Sequence, residues 1–106
     1  MKADLAVWRP VAWTRVTVND GFWSPRQARN AAVTLPQMYQ RLVSTGRLAA
    51  LSGQWRPGMP QQPHQFWDSD VAKWLEAAAY ALVTHPDPGL QQQAEEVAGY
   101  FRTCQM

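Results

Sequence analysis

"FWDSDVAKWLEAAAYAL" runs from Phe66 to Leu82 and decides the fold class. Val71, Trp74, Leu75, Ala78 and Leu82 recur at i, i+3, i+4, i+7 and i+11, one apolar stripe along a helix expected from about Ser69 to Thr84. Burying a large apolar side chain contributes roughly 1.5 to 3 kcal/mol, far more than helix propensity, so a partner surface decides whether this helix is stable. The partner comes next in the sequence. "HPDPG", His85 to Gly89, turns the chain, with Asp87 as N-cap and Pro88 at the first helical position; Leu90, Ala94, Val97, Ala98 and Phe101 then form a matching stripe. Residues Asp68 to Gln105 therefore read as an αα-hairpin.

Upstream, "SPRQARNAAV" places Ser24 as N-cap and Pro25 at the first position of a helix ending near Val33. Pro36 disfavours helical geometry in the residue before it, so "TLPQMYQRLVSTG" reads as a separate helix from about Pro36 to a left-handed cap at Gly46. Residues 24–46 are thus expected to be two short helices. Still earlier, "VAWTRVTV" (Val11 to Val18) alternates and is rich in β-branched residues, which predicts a short strand ended by the turn "NDG", within a strand-and-turn segment over 1–23. This strand has no neighbour to pair with in the sequence. Between the two helical regions, residues 47–67 are expected to form a loop, because Gly53, Pro57, Gly58, Pro60 and Pro63 break both helical and strand periodicity.

At 106 residues this is at most one small domain, and 46% hydrophobic with 17% charged residues fits a packed chain rather than a disordered one. The formal charge of +2 comes from scattered Lys and Arg with no basic run, which argues against nucleic acid as a partner. Asp4, Arg9 and Pro10 interrupt the opening before any apolar stretch reaches the length of a signal-peptide core or membrane span, so the expectation is a cytoplasmic chain with no membrane partner. Cys104 is the single cysteine, which excludes an internal disulfide and a CxxC site. His64 and His85 have no metal-ligand spacing, and no metal site is expected within the chain.

Two aspartates crowd the start of the long helix. Asp68 as N-cap and Asp70 in the first turn are both explained by the helix terminus, at about 1 kcal/mol and roughly 0.3 to 1 kcal/mol. A retaining glycosidase needs carboxyls about 5 to 5.5 Å apart across the bond it cleaves, and residues two apart on a helix diverge, so Asp68 and Asp70 are not a catalytic pair. A second reading of Asp68 stays open: with Trp67 beside it, the carboxylate lines a pocket and accepts hydrogen bonds from sugar hydroxyls. Lys73, three residues from both Asp70 and Glu76, reads as a solvated or half-buried ion-pair ladder rather than a site.

"FWDSDVAKWLEAAAYAL" followed by "HPDP" resembles a signature of the β-L-arabinofuranosidase family of glycoside hydrolases. "DGFWSPRQARN" and "TLPQMYQRLVSTGRL" resemble that family's opening segments, in the same order, so the resemblance covers about Val16 to Gln105. It implies an (α/α)6-barrel catalytic domain, of which this chain would hold the amino-terminal helices and the first αα-hairpin after a short β-strand: a mainly α, incomplete barrel. It also implies retaining hydrolysis of terminal furanosides from plant-type glycans, by a zinc-bound cysteine nucleophile and a glutamate acid/base. None of those catalytic residues maps onto this chain, and Cys104 does not match the nucleophile. The expectation is therefore an amino-terminal fragment, inactive alone, with Trp67 and Asp68 as its sugar-facing residues, zinc only in the full-length parent, and self-association through exposed apolar helix faces. The competing expectation is a free-standing helical-hairpin interaction module of the tetratricopeptide kind, although such arrays need several repeats and one hairpin is present.

Overall fold

In the structure, a computed structural model, residues 7–105 are described. Met1 to Ala6, the opening of the expected strand-and-turn segment, lie outside them. Five helices follow one another: α1 (Trp23–Arg29), α2 (Leu35–Ser44), α3 (Arg47–Leu51), α4 (Trp67–Thr84) and α5 (Pro88–Cys104), with a five-residue π turn, Asn30–Thr34, joining α1 to α2.

The hairpin forms as its two stripes require. Val71, Trp74 and Ala78 of α4 and Leu90, Ala94 and Val97 of α5 are buried against each other, while Leu75, Leu82 and Phe101 are half-buried at the edges. Ala98 is exposed and lies outside the seam. Asp87 caps α5 as expected, its Oδ1 accepting the Leu90 N–H at 3.0 Å. α2 and α3 lie across this hairpin and complete the core with Leu35, Leu42, Leu48 and Leu51.

Four expectations need correction. No strand forms among the described residues; Val11 to Val18 is irregular around a short 3-10 turn, Trp13–Arg15. The physical reason is the missing partner: no second strand satisfies its backbone, and Trp13 instead packs edge-on against Tyr80 of α4, with ring centroids 4.9 Å apart. Ser24 does not cap α1. The Asp20 carboxylate does so from three residues before Trp23, its Oδ1 accepting the N–H groups of Phe22, Trp23 and Ser24 at 3.2, 2.6 and 3.0 Å. Those bonds hold its carboxyl below the usual aspartate value, the Ser24 N–H contributing most.

Pro36 also does not break the helix. Its absent N–H and its ring would conflict with the carbonyl one α-turn back, and the chain widens by one residue to avoid this: the Leu35 N–H reaches the Asn30 carbonyl, five residues away. The two expected short helices become one continuous helical rod, Trp23 to Ser44. Finally, residues 47–67 are not all loop. Gly46 adopts φ 77°, a left-handed conformation that turns the chain at the end of α2, and α3 starts immediately after it. Leu48 and Leu51, three apart, then face the hairpin and are buried, and that burial outweighs the weak local propensity of five residues.

Outside this core, apolar side chains remain exposed. Trp8 at 94% exposure, with Phe22, Trp23, Met38 and Val43 about half exposed, shows where apolar surface goes uncovered.

Candidate functional site

The sequence-predicted residues Trp67 and Asp68 open α4 but do not cap it. The N-cap position is Phe66, which has no side-chain cap, and Asp68 is the second helical residue, its Oδ1 accepting the adjacent Ser69 N–H at 2.8 Å. Its carboxylate is exposed; Trp67 is half-buried with part of its ring against the core. The two are neighbours at the helix entrance, and neither lines the cleft between α2 and α4.

That cleft, of about 600 Å³, lies between α2 and α4. Leu35, Met38 and Leu42 of α2 and Trp74 and Ala77 of α4 supply apolar walls, and Arg41, Arg47, Asp70 and Lys73 supply the charge. Trp74 fixes the separation of the two helices: its indole Nε1–H donates to the Leu35 carbonyl at 2.9 Å, a buried bond that meets the chain just after the π turn. At the other end Arg47 Nε donates to Asp70 Oδ2 at 2.8 Å, and Lys73 Nζ stands 3.7 Å from Asp70 Oδ1. The Asp70 carboxyl is held below its usual value of 3.8, chiefly by the Arg47 hydrogen bond and further by the charges of Arg47, Lys73 and His64, with partial burial acting the other way.

Asp70 is thus an anchor between α3 and α4 rather than only a first-turn charge, and sequence reasoning missed Arg47 as its partner. The pair spans 23 positions, and the signal for it was Gly46: a left-handed turn ahead of an arginine that must swing towards the next helix. The expected ladder forms on one rung only, because Glu76 instead accepts the Tyr80 hydroxyl at 3.1 Å. Cys104 Sγ–H donates to the Leu51 carbonyl at 3.3 Å, tying the end of α5 to α3. His64 lies in the loop with Nδ1 accepting the Phe66 N–H at 3.2 Å, and His85 follows α4, its Nδ1 2.9 Å from the Thr84 hydroxyl.

The zinc implied by the resemblance finds no cradle in this part of the chain: among the described residues no group of three His, Cys, Asp or Glu side chains converges. Nor is any described helix long and apolar enough to cross a membrane.

Against known proteins, a family profile described as "Beta-L-arabinofuranosidase, GH127 catalytic domain" matches residues 15–106. The non-reducing end β-L-arabinofuranosidase of Bifidobacterium longum subsp. longum is 73% identical over 40 residues, which are 38% of this chain and 6% of that enzyme. No solved structure matches. Since the profile takes in every helix from α1 to α5, with the Gly46 turn and the Asp87 cap between them, the chain belongs to the β-L-arabinofuranosidase GH127 catalytic-domain family.

Proposed function

We propose that this chain is an amino-terminal part of a glycoside hydrolase catalytic domain that removes terminal β-L-arabinofuranose from plant-type glycans with retention of configuration, and that it does not turn over substrate alone. The observation that carries the reading is the family match over residues 15–106, which takes in all five helices. In this reading α4 and α5 are the first hairpin of an (α/α)6 barrel, and the nucleophile, acid/base and zinc ligands are supplied by chain other than residues 7–105. The family match over residues 15–106 favours this over a free-standing interaction module.

Trp67 and Asp68 are the residues we assign to the sugar. The Asp68 carboxylate has one local hydrogen bond among the described residues and is otherwise presented to solvent, suited to accept from sugar hydroxyls, and Trp67 beside it offers the flat apolar surface on which a sugar ring stacks. Self-association through the exposed apolar faces belongs to the same reading, since uncovered patches seek other partners.

The test is to incubate the purified 106-residue chain with an aryl β-L-arabinofuranoside, with and without zinc. No aglycone release is expected; zinc-dependent turnover would refute the assignment. Titrating L-arabinose while following the Trp67 indole resonance tests the sugar contact, which is lost in Asp68→Asn if the pairing is correct.

A further inference from the structure

The cleft between α2 and α4 is polarised along its length. α2 and α4 run in opposite directions there, because Arg47, at the start of α3 just past the end of α2, meets Asp70 at the start of α4 while Trp74 reaches back to Leu35 at the start of α2. Arg41, Arg47, Asp70 and Lys73 therefore gather at one end, and Thr34, Met38 and Ala77 carry the other end with no charge. Three cations face one carboxylate. That carboxylate is engaged by Arg47 through Nε alone, and among the described residues the Arg41 guanidinium has no hydrogen bond or ion pair.

We propose that this cleft is a binding site for a small amphipathic anion, its carboxylate or sulfonate head held by Arg41 and the outward nitrogens of Arg47, its apolar body lying along Leu35, Met38 and Ala77. A volume of about 600 Å³ falls within the range of small-molecule pockets. A planar guanidinium pairs with a carboxylate through two parallel N–H···O bonds. The site is separate from Trp67 and Asp68, so it stands or falls independently of the sugar contact.

Isothermal titration of the full chain with decanoate, below its micelle concentration, is the test. Binding of decanoate is expected, none of decyltrimethylammonium, and no competition from excess L-arabinose. Arg41→Gln should weaken decanoate about tenfold, the loss of one charge-assisted contact. Arg56→Gln, the same loss of charge in the loop away from the cleft, should leave it unchanged. Equal binding of the cationic amphiphile, displacement by arabinose, equal effects of the two substitutions, or no binding of decanoate would each overturn the proposal; circular dichroism of both variants shows that the helices are intact.

Discussion

Replacing Trp74 by Phe should loosen the molecule at its central joint. Trp74 is 4% exposed and its indole N–H donates to the Leu35 carbonyl at 2.9 Å. Phe keeps a ring in place but has no donor, which removes a buried hydrogen bond contributing about 1 kcal/mol. It also vacates the space of the five-membered ring, roughly 40 Å² of apolar contact at 25 cal/mol per Å², about another 1 kcal/mol. The expected loss is about 2 kcal/mol, or about 8 to 16 °C in Tm for a chain of this size. Urea and thermal melts followed by circular dichroism, at one fixed protein concentration, measure it. Amide exchange should accelerate first over residues 30–44, because the lost bond holds that segment to α4, while the α4–α5 seam keeps its own burial. A loss below about 0.5 kcal/mol, or exchange that quickens evenly through all five helices, would show that this bond does not join the two layers.

Asp87→Ala removes the cap of α5 and should cost about 1 kcal/mol, whereas Asp87→Asn keeps an acceptor and most of the stability; the two melts compared side by side decide it. Gly46→Ala meets only ordinary contacts at the added carbon, with Gln61 O at 3.7 Å the nearest, so its cost is that of a left-handed alanine, about 1 to 2 kcal/mol. A near-neutral result would mean the turn relaxes to another conformation. The Asp70 carboxyl is depressed on folding, so its stabilising contribution is complete above 3.8 and is lost as pH falls through the lower folded value; Asp70→Asn should flatten the acid limb of a stability–pH profile, and an unchanged limb would exclude the Arg47 pairing in solution. Sedimentation at rising concentration should show association, and a strictly monomeric chain would mean that the exposed apolar side chains are not adhesive.

The hairpin was legible because periodicity and capping agreed: Val71, Trp74, Ala78, Leu90 and Val97 are all buried, and Asp87 caps as its position before Pro88 requires. What could not be read was set by tertiary contacts. Pro36 gives a local stop signal, but burial of Leu35 and Leu42 on the hairpin rewards a continuous rod, and a π turn is the cheaper accommodation. Leu48 and Leu51 sit among prolines and glycines in sequence, and only the Gly46 turn brings them to the core. Asp20 competed with Ser24 for the same role and prevailed because its carboxylate reaches three N–H groups at once. At the site, Trp67 and Asp68 are adjacent in space because they are adjacent in sequence; Arg41, Arg47 and Lys73 are brought together by three separate helices, a grouping that no local pattern records.

The five-residue loop of hydrogen bonding at Asn30–Thr34 sets the angular phase of everything that follows it on the rod. An α-helix advances about 100° per residue, so removing one residue there would re-index the downstream side chains by that angle. Met38 and Arg41 would then point along headings now held by their neighbours, and the Leu35 carbonyl would swing away from the indole that docks on it. One surplus residue acts as the indexing notch of the whole amino-terminal half.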